Sequence, residues 1–322
     1  MSRRLPSMRL KPATASVDLA ARASNTRVIC LGLSALDQIW RVQAFFSGGS
    51  QKIRSLEYTT MGGGMAATAA FTVARLGGRA AFWGRGGEDA AGREMRQALS
   101  GQGVDVSQFR LFPNGQSSVS GILVDSSGER QIVNFRGQFP EAADWLPTSE
   151  VRTASAVLAD PRWLAGAVAL FQAARAKEIP TVLDADVADR DVFETLLPLT
   201  DHAVFSEPAL SGFVGSSDDQ ALAGIAKFGC GVAAVTRGAN GVTWLEDNVI
   251  RRQPAYAVSA VDTTGAGDVF HGAYALAIGA CLKATDAMAF AAAAAALKCT
   301  RPGGRAGIPT LEDCLAFQRN GQ

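Results

Sequence analysis

The sequence predicts an α/β fold in which helices cover both faces of a mainly parallel, doubly wound sheet and a small β-sheet forms a lid. Three observations support this prediction. Apolar, β-prone runs such as 27–37 are continuous, which is typical of strands buried on both faces. Segments with helical spacing of apolar residues separate these runs. Two hairpin-like stretches, within about 38–60 and 117–137, interrupt the alternation and are predicted to pair into the lid.

The first half of the chain begins with a predicted strand in the run 27–37, which places Asp37 near the carboxyl end of that strand. The first hairpin turns at a Ser-Gly-Gly-Ser sequence. An Ala-rich helix closed by a glycine pair follows, and a strand, a second helix and the second hairpin come after it. These four segments are 65–78, 80–84, 88–103 and 117–137.

The second half repeats a strand followed by a helix, which continues a parallel sheet. Three Ala-rich helices close the chain. We therefore expect one domain over residues 27–322. Residues 1–26 are rich in Arg, Ala and Ser with a single acidic residue, and they are predicted to form a disordered extension. The predicted strands of this half lie at 154–160, 181–186, 202–207, 231–238, 241–247 and 249–258.

Composition excludes several classes of partner. The chain has 31 Lys and Arg against 30 Asp and Glu in 322 residues, and this balance argues against a nucleic-acid partner, whose binding surfaces are strongly basic. No apolar run approaches the roughly 20 residues needed to cross a bilayer, so no membrane partner is expected. The five cysteines lie far apart without a CxxC pair, which indicates reduced thiols and a cytoplasmic protein.

The glycine-rich segment VDTTGAGDVFHGAYALAIG carries the clearest chemical signal. A glycine turn leads into a helix that begins at Gly265. Unpaired amides at a helix N-terminus attract anions, so Gly265, Ala266 and Gly267 are predicted to hold the charge of a phosphoryl group during its transfer. Asp268 stands beside them and is placed to accept the proton of an attacking hydroxyl. An Asp in a first helical turn is also favoured by the helix dipole alone, so the motif by itself leaves both interpretations open.

The segment DTTGAGDVFHG, the Ala-rich stretch MGGGMAATAAFTVARLGG and the strand ending in Asp37 together resemble the ribokinase family of sugar kinases, also called the PfkB family. The resemblance covers about residues 27–309. It implies a ribokinase-like fold and an ATP-dependent kinase that phosphorylates a sugar hydroxyl and uses Mg²⁺ with the nucleotide. It also implies that Asp268 is the base and that Asp37, Gly62 and Gly63 orient the sugar.

Two further segments resemble the nucleotide-binding part of the family. VTRGANG contains Thr236, Gly238 and Gly241 at the positions of the family's nucleotide segment. FSEPAL occupies the place of the usual Asn-any-any-Glu motif, but Ser206 replaces the Asn and an alanine replaces the Glu. Glu207 is left as the nearby carboxylate.

A strand-like stretch ends at Asp262, and the loop that follows, together with CTRPGGRAG, resembles the two loops that enclose a monovalent cation in many members of the family. Backbone carbonyls suit a hard cation such as K⁺. The resemblance therefore implies a K⁺ site built mostly from backbone atoms of Asp262, Thr264, Arg301 and Gly303, with plain loop packing as the alternative.

The strings GGGMAATAA, VLADPRW and ALKCTRPGGRAGIP resemble more closely the bacterial 6-deoxy-6-sulfofructose kinases of sulfoglycolysis. In that subfamily a Lys, an Asn and an Arg hold the sulfonate, and the matching positions are Lys52, Asn134 and Arg162. An ammonium, an amide and a planar guanidinium suit a fixed anion with three acceptor oxygens. The resemblance thus implies sulfofructose as the substrate and its 1-phosphate as the product.

Other functions remain open at this stage. The protein could be another sugar or sugar-acid kinase, acting on a ketohexose, ribose or 2-keto-3-deoxygluconate, or a non-catalytic sugar or nucleotide sensor. A dinucleotide-binding oxidoreductase is disfavoured because no GxGxxG follows the first strand. A lid with exposed edges commonly pairs with a second copy, and dimers are usual in the family, so we expect a homodimer formed through the lid.

Overall fold

The structure is a computed structural model that describes residues 19–50 and 52–320, which form two sheets and their covering helices. The strands are β1 (Arg27–Gly32), β2 (Ala35–Arg41), β3 (Glu57–Gly63), β4 (Arg79–Gly87), β5 (Phe109–Phe112), β6 (Ser118–Val124), β7 (Arg130–Phe135), β8 (Ala156–Ala159), β9 (Thr181–Ala185), β10 (His202–Ser206), β11 (Val232–Thr236), β12 (Val242–Glu246) and β13 (Val249–Gln253). The helices are α1 (19–22), α2 (Met65–Arg75), α3 (Ala90–Gly101), α4 (Leu164–Arg175), α5 (Arg190–Leu196), α6 (Glu207–Val214), α7 (Asp219–Ala226), α8 (Ala266–Gly279), α9 (Ala284–Cys299) and α10 (Leu311–Asn320).

The larger sheet has nine strands in the order β13-β12-β11-β10-β9-β8-β1-β4-β5. Strands β11, β10, β9, β8, β1, β4 and β5 run parallel to one another. Strands β12 and β13 add an antiparallel edge next to β11. Strands such as β8 and β9 are buried along their whole length, which explains their continuous apolar sequences. The predicted doubly wound, mainly parallel sheet is confirmed.

Two hydrophobic clusters cover the faces of this sheet. One contains the inward side chains of α2, α8 and α9, and the other contains those of α4 to α7. Helices α2 and α8 pack closely because both are rich in small residues: a Cβ on Gly272 would lie only 2.5 Å from the carbonyl oxygen of Ala69. This contact fixes the position of α8, whose N-terminus carries the predicted catalytic motif.

The smaller sheet, which we call the lid, has the strand order β3-β2-β6-β7. Strands β2–β3 and β6–β7 are antiparallel hairpins, and β2 and β6 pair in parallel between them. The two hairpin-like stretches of the sequence therefore form one sheet, as predicted. Two lid residues reach the hydrophobic core, where Ala35 and Leu36 are each 4% exposed.

Two strands differ from the sequence-based expectations. The run 27–37 is not one strand: β1 ends at Gly32, and Asp37 belongs to the lid strand β2, because its neighbours there are Met61 and Ser120. The strand expected to end at Asp262 does not form; residues 254–262 have no regular structure. Their last two amides, those of Val261 and Asp262, donate to the Cys299 carbonyl instead of a sheet partner.

The start of the folded part also lies earlier than expected. Residues 19–25 are helical, and Leu19 and Ala23 are buried at 1% and 2% exposure. Apolar burial of these two side chains holds the segment against the core, so its described part is ordered rather than disordered. The rest of the expected extension, residues 1–18, lies outside the described residues. Within the described part, no helix combines the length and the apolar character needed to span a membrane.

Candidate active site

The site lies at the carboxyl ends of the parallel strands, where the strand order reverses between β1 and β8. Asp160, directly after β8, connects several segments at this edge through its carboxylate. Its carboxylate accepts hydrogen bonds from the amides of Leu33 (2.7 Å), Ala66 (3.1 Å) and Arg162 (2.9 Å). Gly32 has φ +147°, and any Cβ there would collide with the Asp160 carboxylate. The carboxylate thus positions the start of α2 below the lid.

A cavity opens between the lid and the N-terminus of α8. It brings together residues from four segments of the chain, and among them are the predicted sugar-binding and catalytic residues Asp37, Gly62, Gly63, Gly265 and Asp268. Its walls are formed by Asp37, Met61, Gly62, Gly63, Gly64, Thr68, Thr264, Gly265, Asp268, Val269, Gly304 and Arg305.

The catalytic motif has the geometry expected from its glycines. Gly265 has φ +74°, in the left-handed region, and caps α8, which begins at Ala266. The amides of this first turn and the Asp268 side chain therefore meet at the cavity. Burial raises the pKa of Asp268 to about 8, and the neighbouring Asp184 carboxylate adds to that rise. A carboxyl group with such a pKa is suited to act as a base near neutral pH.

Two buried titratable groups that act electrostatically on Asp268, His271 and Asp184, were assigned no role in the site from the sequence. His271, one turn further along α8, has Nδ1 2.8 Å from the Gly267 carbonyl and 3.4 Å from Asp184 Oδ1, and Nε2 3.1 Å from the Val204 carbonyl. Burial lowers the pKa of His271, whereas burial raises that of Asp184 well above its usual value. Their only sequence signal is a polar residue within an otherwise apolar helix or strand.

Arg305 is the most informative residue that sequence reasoning did not assign. It is 6% exposed, and its side chain donates from Nε to Thr68 Oγ1 (3.1 Å) and from Nη2 to the Gly63 carbonyl (2.6 Å). The third nitrogen, Nη1, is buried and has no hydrogen-bond partner among residues 19–50 and 52–320. A Cβ on Gly62 would collide with Nη1. The cavity wall therefore contains a charged donor that the described part of the protein leaves unsatisfied, and the carboxylates of Asp37 and Asp268 line the same cavity.

The lid presents a row of polar side chains. Asp37 faces Ser120 across β2 and β6, and Ser120 faces Asn134 across β6 and β7. Asn134 Nδ2 donates to Ser120 Oγ (3.2 Å), and a hydrogen bond from Ser120 lowers the pKa of Asp37 against the larger effect of burial, which raises it. Residues directly opposite each other share one face of a sheet, so Asn134 lies on the face that Asp37 presents to the cavity. Lys52 is exposed in the loop between β2 and β3.

Arg162 does not line the cavity. Its guanidinium donates to Asp186 Oδ2 (3.1 Å) and to the Val187 carbonyl (2.6 Å), and its side chain is 21% exposed. The three predicted sulfonate ligands therefore come from three separate elements: Asn134 lies on the lid strand β7, Lys52 lies in a lid loop, and Arg162 is held by the residues that follow β9.

The predicted nucleotide-binding residues form a separate group at the same edge of the sheet. Ser206 and Thr236 are aligned at the ends of β10 and β11. Ser206 caps α6 and donates to Asp186 Oδ1 (3.2 Å). Glu207 accepts a hydrogen bond from Arg237 Nη1 (2.6 Å), which joins the two predicted segments. Gly238 and Gly241 flank the short turn after β11 with φ +53° and +83°.

The predicted cation loops meet at Asp262. Its carboxylate accepts from the amides of Thr264 (2.9 Å), Gly303 (3.1 Å) and Gly304 (3.2 Å). The buried ammonium of Lys298 lies 2.8 Å from the Asp262 carbonyl oxygen and 3.1 Å from Asp262 Oδ2. Burial works to raise the pKa of Asp262, but these donors hold it below its usual value. The Arg301 side chain pairs instead with Asp313 on α10 (3.0 Å).

The fold and this constellation define a class of protein, since an anion-binding helix start beside a carboxylate and below a β lid is suited to phosphoryl transfer. A sequence profile of the pfkB family carbohydrate kinases matches residues 25–311. The chain belongs to this family, and it is therefore a sugar kinase, a phosphotransferase with an alcohol group as acceptor.

Individual relatives agree with this assignment. The chain is 28% identical to a ribokinase of Haemophilus influenzae over 85% of its own length and 92% of the relative's. It is 35% identical to a fructokinase of Klebsiella pneumoniae over 65% and 74%, respectively. The ribokinase of Arabidopsis thaliana solved with ribose and ATP is 27% identical and superposes with a TM-score of 0.82 over 91% of this chain and 98% of that one.

Proposed function

We propose that this protein transfers the γ-phosphoryl group of ATP to the 1-hydroxyl of 6-deoxy-6-sulfofructose. The observation that supports the chemistry is the position of Asp268 beside the N-terminus of α8, in a cavity whose opposite wall carries Asp37. The sulfonate assignment rests on the resemblance at Lys52, Asn134 and Arg162.

In the proposed reaction, Asp37 accepts hydrogen bonds from sugar hydroxyls and directs the 1-hydroxyl toward Asp268. The Asp268 carboxylate accepts the proton of that hydroxyl as its oxygen bonds to phosphorus. The bond between phosphorus and the oxygen that leaves with ADP breaks in the same step. Closure of the lid keeps water from competing with the sugar.

Two sets of hydrogen-bond donors would stabilise the negative charge on the transferred phosphoryl group. The amides of Gly265, Ala266 and Gly267 begin α8 and add the positive end of its dipole. Arg305 adds the Nη1 donor that has no partner within the described protein. A fixed, buried guanidinium stabilises a phosphoryl transition state more than a solvated one, because the site is already organised before the charge develops.

The residues present also fit Mg²⁺ and ATP. An unsatisfied buried guanidinium nitrogen and a helix N-terminus suit phosphate oxygens, and Thr236, Gly238 and Gly241 would hold the nucleotide beside Ser206. Mg²⁺ binds through one or two carboxylates together with phosphates, and Asp184 on β9 offers a buried Oδ2 that has no hydrogen-bond partner among the described residues. Glu207, the first residue of α6, follows directly after the neighbouring strand β10. When bound, Mg²⁺-ATP supplies the phosphoryl group.

The lid geometry agrees with a substrate that is anionic at its far end. Asn134 is two strands from Asp37, about 10 Å away, so it can contact the end of a sugar whose middle hydroxyls bind Asp37. Lys52, in the loop of the first hairpin, would bring an ammonium to the same end. Arg162 would turn one of its donors from the Val187 carbonyl toward the sulfonate while it keeps its pairing with Asp186.

The test is ADP release across sulfofructose, fructose, fructose 6-phosphate, ribose and 2-keto-3-deoxygluconate. Sulfofructose should give the highest kcat/KM. Arg162→Ala should raise the KM for sulfofructose at least tenfold and leave that for fructose within about twofold, since an Arg–anion contact is charge-assisted. Arg96→Ala, which removes an exposed arginine of α3, is the matched control.

The outcomes test the sulfonate substrate separately from the sugar kinase activity. Turnover of fructose or ribose with a higher kcat/KM than sulfofructose would remove the sulfonate substrate and leave the sugar kinase. Equal effects of Arg162→Ala on sulfofructose and fructose would remove Arg162 from the sulfonate site.

We also infer that two copies pair through their lids. The lid leaves large apolar side chains in solvent, with Val133 at 75%, Ile132 at 62% and Tyr58 at 53% exposure. Exposed apolar strands of this kind are commonly covered by a partner. Light scattering should give the mass of a dimer, and Val133→Lys should shift it toward the monomer.

A further inference from the structure

The loop that precedes α8 contains a buried positive charge that belongs to the protein itself. Lys298 stands near the end of α9, its side chain is 0% exposed, and it is the one charged residue between Asp286 and Cys299. Burying an ammonium is costly unless it is paired and hydrogen-bonded. Its pairing with Asp262 meets that requirement.

The ammonium contacts two different oxygens of Asp262. Nζ is 2.8 Å from the backbone carbonyl and 3.1 Å from the carboxylate Oδ2. Main-chain carbonyls and a carboxylate are the oxygens that a monovalent cation would use in this loop. A free cation and the ammonium would therefore compete for the same two atoms, and the residues present do not fit a bound K⁺.

The position of the ammonium connects it to the active site. The Asp262 carboxylate also accepts from the amides of Thr264, Gly303 and Gly304, so one side chain joins the loop that enters α8 to the loop that carries Arg305. The Lys298 ammonium neutralises the Asp262 carboxylate and so helps to hold the two loops together. These two loops supply the helix start and the guanidinium that line the cavity.

We propose that the Lys298 ammonium is a built-in, covalently tethered substitute for a monovalent cation, so that this kinase needs no K⁺ to order the loop before α8. The proposal concerns the order of the loops and holds for any sugar substrate. Because protein stability can be measured without substrate, its failure is distinguishable from failure of the proposed function.

The experiment compares the wild type, Lys298→Ala and Lys298→Met in choline, sodium and potassium chloride at equal ionic strength, by thermal unfolding and by kcat/KM. The wild type should give the same Tm and the same rate in all three salts. Lys298→Ala should lose about 5 to 10 °C in Tm in choline chloride, because it removes the buried charge partner of Asp262 and leaves only the partly exposed Arg130.

The two variants differ in the space that they leave. Alanine opens a volume beside the Asp262 oxygens, and K⁺ should restore Tm and rate with a saturable concentration dependence that Na⁺ and choline do not reproduce. Methionine fills most of the lysine volume without charge, so Lys298→Met should be destabilised and insensitive to K⁺.

Three results would overturn the proposal. They are a selective increase of the wild-type Tm or rate by K⁺, a Lys298→Ala variant with wild-type Tm and rate in choline chloride, and a destabilised Lys298→Ala that no cation restores. If Lys298→Ala does not fold in any salt, the response of the wild type to K⁺ alone still decides, because a cation-requiring loop would make the wild type respond.

Discussion

Arg130, the first residue of the lid strand β7, donates to the Asp262 carboxylate (3.3 Å) and to Thr264 Oγ1 (2.6 Å). The lid is thus attached directly to the loop that enters α8. Asp262 receives this lid contact on Oδ1 and the Lys298 ammonium on Oδ2. The same carboxylate therefore connects lid, loop and core.

Removing the lid contact should weaken sugar retention rather than the chemistry. Arg130→Gln is expected to raise the KM for sugar about threefold to tenfold with a small change in kcat, because the pair is partly exposed at the Arg130 side chain. ATP hydrolysis without sugar should increase as water enters the cavity. Arg41→Gln, which breaks a pair with Glu57 inside the lid, is the control and should change neither quantity.

Loss of the proposed base should abolish most turnover without loss of fold. Asp268→Asn is expected to lower kcat about 100-fold to 10,000-fold, the usual contribution of a positioned base, with sugar and nucleotide binding retained. Calorimetric titration of both ligands and single-turnover kinetics would measure these effects separately. Near-wild-type kcat in the purified variant would show that another group accepts the proton.

The pH dependence should show opposite trends for activity and stability. Burial and the Asp184 carboxylate raise the pKa of Asp268 to about 8, so kcat/KM should fall about tenfold per pH unit below that value. Asp184→Asn removes the negative neighbour and should move this fall to lower pH. A profile of kcat/KM from pH 5.5 to 9.5 tests both statements, and an unmoved profile in Asp184→Asn would contradict the coupling.

The same pKa makes a prediction for stability. A carboxyl whose pKa is higher in the folded than in the unfolded state stabilises the fold fully below its unfolded pKa, near 4, and this contribution is lost as pH rises through about 8. Asp268→Asn cannot ionise, so its free energy of unfolding relative to the wild type should increase from pH 5 to pH 8.5. Urea unfolding at several pH values measures this difference.

Local sequence patterns were sufficient to predict most of the architecture and the catalytic motif around Asp268. The continuous apolar strands, the Ala-rich helices and the glycines around Asp268 each have a physical cause within about 20 neighbouring residues, so the sequence predicts them. The bend after Gly32 was not visible in the apolar run 27–37. Pairing of β2 with β3 and β6 decides that bend, and this pairing depends on residues far along the chain.

Residues that act through distant partners escaped the sequence analysis for the same reason. Arg305 contacts Gly63 across 242 positions of the chain, and Lys298 contacts Asp262 across 36. Each is a single charged residue in a glycine-rich or alanine-rich segment, which signals burial with a partner but does not identify the partner. Only the fold reveals that Arg305 and Asp268 share one cavity.

Arg305 should be required for catalysis through its guanidinium geometry. A lysine can keep the charge, but it cannot contact Thr68 and the Gly63 carbonyl while it also offers a donor to the cavity. Arg305→Lys is therefore expected to lower kcat about 100-fold or more, the cost of losing one fixed donor to a transition-state charge. The KM for ATP should change little.

Chemical rescue distinguishes a catalytic role of the Arg305 guanidinium from a merely structural one. Arg305→Ala leaves a cavity beside Gly62, and millimolar guanidinium should restore part of its kcat in a saturable manner, whereas tetramethylammonium at the same ionic strength should not. Arg319→Lys, a change at an exposed arginine of α10, serves as the control and should retain full turnover. A wild-type kcat in Arg305→Lys would show that Nη1 does not contact the transferred phosphoryl group.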